Sequence, residues 1–128
     1  VTRWYNEQRL DHFSQKETRT WKQRYFVNDT FFDGSGPVFL CVGGEGSELT
    51  PDVVKTGTVH CAVMVALAKQ LGALILALEH RYYGKSQPVS NLSTANLKWL
   101  TSRQALGDIV QFHDYISKIY NLEADKKW

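Results

Sequence analysis

The apolar and polar positions of this chain fall into blocks of different period. From Thr20 to Val27 the run TWKQRYFV alternates bulky and polar residues and ends at Asn28-Asp29. That pattern predicts a half-buried strand, a turn, and an antiparallel start to a sheet. Beyond the turn-rich Asp33-Gly34-Ser35-Gly36-Pro37, the positions Val38 to Val42 are continuously apolar over a strand's length, as in a strand covered on both faces. Val59 to Leu71 is rich in Ala, Val and Leu and closes on Gly72, which predicts a buried helix with a left-handed glycine cap. Ala73 to Leu78 is a second continuous apolar strand. In the last block Thr101 and Gln104 form a capping box, and Ala105, Ile109, Phe112, Ile116 and Ile119 recur at helical spacing, which predicts a long amphipathic helix.

The order strand, glycine loop, helix, strand, loop, helix, with strands that need cover on both faces, predicts an α/β protein with parallel strands joined by right-handed crossovers. Lys127-Trp128 is where a further strand is expected to begin. Without that strand the core is incomplete, so the chain reads as a fragment of marginal stability by itself.

Composition changes this picture mainly by exclusion. A net charge of +2, with basic residues scattered among acidic ones, does not make a nucleic-acid surface. The longest apolar stretch, Ala62 to Leu78, is interrupted by Lys69, Gln70 and Gly72, so no membrane span is expected. The sequence starts at Val1 without a signal pattern, which suggests a removed leader or an excerpt. Asn28-Asp29-Thr30 and Asn91-Leu92-Ser93 are sequons compatible with glycosylation of Asn28 and Asn91 in a secreted or lysosomal protein. Cys41 and Cys61 lie in apolar surroundings and read as two buried free thiols, with a disulfide between them the alternative. His12, His60, His80 and His113 are widely separated and neither Cys has a metal-type spacing, so neither a metal nor a cofactor is expected.

Two loops at the carboxyl ends of the apolar strands carry candidate chemistry. In Gly43-Gly44-Glu45-Gly46, glycines free the backbone N–H groups to meet a developing negative charge, as in an oxyanion hole or a phosphate cradle. The competing reading is a tight turn that needs positive φ. The second loop runs Glu79-His80-Arg81-Tyr82-Tyr83-Gly84-Lys85-Ser86. Its end resembles a phosphate-binding loop, but Glu79 stands where that pattern needs glycine, so nucleotide binding is not expected. Glu79, His80 and Arg81 read as a hydrogen-bonded structural turn in preference to catalytic groups. No stretch has the form Gly-x-Ser-x-Gly, and Ser86 is followed by Pro88 where the second glycine belongs, so no catalytic triad lies within this chain.

Several stretches together resemble one family, the lysosomal and secreted serine peptidases related to prolyl carboxypeptidase, dipeptidyl peptidase 2 and thymus-specific serine protease. They are Gln8-Arg9-Leu10-Asp11-His12-Phe13, Trp21-Lys22-Gln23-Arg24-Tyr25, Gly36-Pro37-Val38-Phe39-Leu40, Gly43-Gly44-Glu45-Gly46, Glu79 to Ser86, and Leu100-Thr101-Ser102-Arg103-Gln104-Ala105-Leu106. The Gly-Gly-Glu-Gly form looks closest to the thymus-specific branch. The resemblance implies the amino-terminal part of an α/β-hydrolase fold, with the nucleophile elbow expected just beyond Trp128. It also implies proline-directed exopeptidase activity on peptide substrates and a secreted or lysosomal/endosomal location. Within this chain it implies that Gly44 or Glu45 donates one oxyanion N–H. The rival expectation is a catalytically inactive, truncated relative that at most binds peptides or a partner chain.

Overall fold

The computed structural model describes residues 1–56 and 61–128. The strands β1 (Thr2–Arg9), β2 (Thr20–Asn28), β3 (Val38–Val42) and β4 (Leu74–Leu78) form one mixed sheet in the order β1-β2-β4-β3. β1 and β2 are antiparallel, with Tyr5 opposite Gln23. β2 also runs antiparallel to β4, and β3 lies parallel to β4 with Val38 opposite Leu74 and Val42 opposite Leu78. The expected α/β class and the parallel pair are both present. The expected antiparallel start and the parallel pair are parts of one sheet, joined through β2 and β4.

β4 is apolar throughout because both of its faces are covered. Leu74, Leu76 and Leu78 pack with Tyr25, Phe112 and Ile116 beneath the helix α3 (Ser102–Ile119). Ile75 and Ala77 pack on the opposite face with Phe26, Val53, Val54 and Ala68. Ala68 belongs to α2 (Ala62–Leu71), and the two valines to α1 (Asp52–Lys55), a single turn that the hydrophobic pattern does not distinguish from loop. β1 also escapes the pattern. Of its residues only Tyr5 and Gln8 are buried, and the pairing register shifts between them, so no clean alternation survives.

The described part of the helix expected over Val59 to Leu71 begins at Ala62, and Val59 and His60 lie outside the described residues. Gly72 ends it in the left-handed conformation at φ 61°, as its position predicts. The expectation that this helix is buried needs correction. Ala68 faces the sheet, but Val63, Leu67 and Leu71 are 67, 40 and 51% exposed, because the described residues cover only one side of α2. The stripe on α3 also shifts. Its buried line is Gln104, Asp108, Phe112 and Ile116, while Ile119 is 52% exposed. Two polar residues therefore hold the inner face, for reasons that the site makes plain.

Gly36 approaches the α2 cap so closely that a Cβ there would lie 2.1 Å from the Gly72 carbonyl oxygen. The obstacle is backbone and cannot swing aside. Gly36→Ala is therefore expected to destabilise the protein by about 1–3 kcal/mol, read from the urea midpoint.

Candidate functional site

Parallel pairing of β3 and β4 sets the glycine loop beside the turn that follows β4, both at the carboxyl ends of their strands. Gly43 N–H donates to the Leu78 carbonyl at 2.8 Å, carrying the ladder one residue past β3. A side chain at Gly43 would press on His80 N, Leu49 and the Leu78 carbonyl, each at 3.1 Å, so the two loops are in van der Waals contact there. At Gly44 and Gly46 an added Cβ would meet nothing within 4 Å. None of these three glycines has a positive φ. The tight-turn reading therefore loses its positive-φ basis, and at Gly44 and Gly46 the backbone stands clear of other atoms on the side a Cβ would occupy.

The turn after β4 is held by two separate charge clusters. Glu79 is buried, and its carboxylate accepts from Arg24 Nε at 3.2 Å, Arg24 Nη2 at 2.5 Å, Ser86 Oγ at 2.9 Å and the Lys85 N–H at 3.0 Å. Arg24 also donates to Glu48 Oε1 at 2.8 Å and to the Leu49 carbonyl at 3.1 Å, so one guanidinium ties the turn to the segment following the glycine loop. Burial alone would lower the pKa of Arg24, but hydrogen bonds and charge from Glu79 and Glu48 outweigh it and raise the pKa above the ordinary value. Gly84, at φ 54°, lets the chain pass over this carboxylate, since a Cβ there would fall 2.0 Å from Glu79 Oε2. Ser86 is fully buried with its hydroxyl committed to Glu79 and to the Arg24 N–H, which leaves neither a phosphate site nor an accessible nucleophile.

The second cluster centres on Arg81, which is 0% exposed. Its Nε and Nη2 donate to Asp108 Oδ2 and Oδ1, each at 2.7 Å. Nη1 donates to the carbonyls of Trp99 and Leu10 at 2.8 and 3.2 Å, and Nη2 to that of Arg9 at 3.3 Å. All five guanidinium protons are thus used. His12 Nε2 meets Asp108 Oδ1 from the other side at 2.7 Å. Gln104 completes the join. Its backbone N–H donates to Thr101 Oγ1 at 3.2 Å, but its side chain does not return to the cap as the capping box requires. Instead it donates to Asp11 Oδ1 at 2.7 Å and accepts from the His12 N–H at 2.9 Å. The Gln104 contact and the Phe13 N–H hold the Asp11 carboxyl below its usual pKa.

His80 stands apart from both clusters. Its Nδ1 lies 2.7 Å from the Arg81 carbonyl, its ring packs edge-on against Tyr83, and its Nε2 is 3.9 Å from Glu45 Oε1. Sequence reasoning missed Arg24, Asp108 and His12. A signal existed for Asp108, which with Gln104 continues the four-residue line of Phe112 and Ile116, where a buried carboxylate demands a cation.

Cys41 and Cys61 form a disulfide with Cα atoms 6.2 Å apart. This corrects the expectation of free thiols. The pairing joins β3 to the start of α2, and neither hydrophobic block alone reveals that they are neighbours. Asn28 Nδ2 donates to the Val54 carbonyl at 2.7 Å, whereas Asn91 is exposed. Among the described residues no group of three or more His, Cys, Asp or Glu side chains could hold a metal ion, and no helix is long and apolar enough to cross a membrane.

A mixed sheet with a glycine loop and a braced polar turn side by side at the carboxyl ends of its parallel strands defines an α/β protein. Residues 8–128 match the family described as Serine carboxypeptidase S28, and the chain belongs to that family. It is 45% identical over 123 residues to the thymus-specific serine protease of Homo sapiens, covering 95% of this chain and 23% of the relative. It is 40% identical over 121 residues to the probable serine protease EDA2 of Arabidopsis thaliana, covering 92% and 22%. With the lysosomal Pro-X carboxypeptidase of Mus musculus the identity is 35% over 117 residues, covering 89% and 23%. The chain thus spans less than a quarter of the length of these relatives.

Proposed function

We propose that this chain is the amino-terminal part of an α/β-hydrolase-type serine exopeptidase acting beside proline. In that role it supplies scaffold and an oxyanion donor, the N–H of Gly44 or Glu45. The observation that carries the reading is the open backbone at Gly44 and Gly46 of the glycine loop, braced against the turn after β4, in a chain that belongs to a serine peptidase family. Proline-directed action rests on the name of the mouse relative, a Pro-X carboxypeptidase. The nucleophile, acid and histidine lie in the remainder of the parent protein, because no Gly-x-Ser-x-Gly elbow occurs in these 128 residues. A fluorophosphonate probe tests this. The full-length parent is expected to label and to cleave proline-containing reporters, and the 128-residue chain to do neither. An unlabelled full-length protein refutes the reading.

A secreted or lysosomal/endosomal location is supported by the disulfide, which persists in oxidising compartments, and by the lysosomal relative. Of the two sequons, Asn91 is the glycan acceptor in this proposal and Asn28 is not. The Asn28 amide is half-buried and bonded beneath the fully buried Val54, so a sugar on its nitrogen would displace α1. Asn91 engages only its oxygens, with Ser93 and Asn96, among the described residues. In a secretory host, glycosidase treatment is expected to lower the mass of the wild-type chain and of Asn28→Gln equally. It should leave Asn91→Gln unchanged.

A further inference from the structure

We infer that Arg24 is a positioning residue for the glycine loop. By holding Glu48 and the Leu49 carbonyl, it fixes the far end of the backbone segment that offers the oxyanion donor. This deepens the peptidase reading above, on which it rests.

Residues Gly43 to Leu49 form a short arch whose two ends are pinned and whose middle is not. At the near end the Gly43 N–H continues the sheet ladder to the Leu78 carbonyl at 2.8 Å. At the far end Arg24 Nη1 donates to Glu48 Oε1 at 2.8 Å, and Nη2 to the Leu49 carbonyl at 3.1 Å. Between them Gly44, Glu45, Gly46 and Ser47 are exposed, and among the described residues their N–H groups donate to no backbone carbonyl. Glycine has the widest choice of backbone conformations, so an arch carrying two of them does not keep one direction by itself. An oxyanion donor has to be aimed before the charge develops. The aim is therefore set from the ends, and Arg24 is the side chain that sets the far one.

Neutralising Glu79 does not require these two contacts. Arg24 meets that buried carboxylate along one edge of the guanidinium, with Nε at 3.2 Å and Nη2 at 2.5 Å, and Ser86 Oγ and the Lys85 N–H also donate to it. The contacts to Glu48 and Leu49 use the remaining protons. Glu48 is half exposed, where water would solvate its carboxylate, so this ion pair adds little to folding and its effect is on geometry. The pin is itself immobile. The Arg24 N–H donates to Ser86 Oγ at 2.9 Å, its carbonyl accepts from the Glu79 N–H at 3.1 Å, and the guanidinium carbon lies 5.2 Å from the centre of the Phe26 ring. β2 lies between β1 and β4, so Arg24 carries the rigidity of the sheet into the loop. Lysine would balance the charge of Glu79 but has no second edge with which to reach the arch.

The test uses the full-length protein with Glu48→Gln, Glu48→Ala and Arg24→Lys, reading kcat and KM for a proline-containing reporter, the rate of fluorophosphonate labelling, and the urea midpoint. Glu48→Ala is expected to lower kcat and the labelling rate about tenfold in parallel, with KM and the midpoint unchanged. Arg24→Lys is expected to lower both rates about a hundredfold, the size of effect that misplacing one oxyanion donor produces. Glu48→Gln keeps an acceptor for Nη1 and should fall between wild type and Glu48→Ala. A loss that only tracks the unfolded fraction belongs to a structural residue and overturns the positioning role. A change in KM alone overturns it as well, because the arch would then contact substrate instead of aiming a donor. Wild-type rates in Glu48→Ala and Arg24→Lys overturn the role and leave the peptidase reading intact. A wild-type protein that neither labels nor cleaves refutes the peptidase reading, and the positioning role falls with it.

Discussion

Arg81→Ala is expected to destabilise the protein by about 3–5 kcal/mol, the cost of removing one partner from a buried ion pair and leaving the other without compensation. The partner is Asp108, which is 1% exposed and would keep only His12. The loss extends beyond the pair. Arg81 also satisfies the carbonyls of Arg9, Leu10 and Trp99, and so closes the end of β1, the segment before α3 and the turn after β4 around one planar cation. Lysine cannot substitute, because a single ammonium cannot make the paired contact to the carboxylate while reaching three carbonyls. Urea unfolding of the full-length protein checks the magnitude, and Arg81→Lys should recover only a minor part. The paired change Arg81→Met with Asp108→Leu is expected to cost less than Arg81→Ala alone, since it leaves no orphaned charge. A drop in kcat with an unchanged midpoint would instead make Arg81 a catalytic residue.

Loss of the Cys41–Cys61 bond is the second large effect. The cysteines are 20 residues apart, and opening a loop of that size releases chain entropy to the unfolded state worth about 3 kcal/mol. The loop holds the glycine segment and α1, so its opening also loosens the backbone of the glycine loop. Cys41→Ala with Cys61→Ala should lower the urea midpoint to the value of the reduced wild type. A double variant within a few tenths of a kcal/mol of the oxidised wild type would mean that the thiols are unpaired in solution.

The long-period features were legible from residue order. β3 matches its apolar run from Val38 to Val42, and β4, α3 and the Gly72 cap lie within a residue of where the pattern sets them. Burial on both faces, or on one stripe, imprints a period on the residues that undergo it. β1 and α1 carry too few buried positions to leave such an imprint. The Gln104 side chain was misread because the local rule for a helix cap was overridden by Asp11 and His12, residues some ninety positions away.

Residue order by itself thus determined which segments are strands and helices, that the sheet is covered on both faces, and that two polar loops end its parallel strands. It also carried the family, because the motifs that define it are local. Only the tertiary structure decided the partnerships, namely Arg24 with Glu79, Arg81 with Asp108, Cys41 with Cys61, and His80 facing Glu45. A period records whether a residue is buried and says nothing of what it is buried against. That choice follows from the strand order β1-β2-β4-β3, which brings distant charges to one edge where each must find its counter-ion.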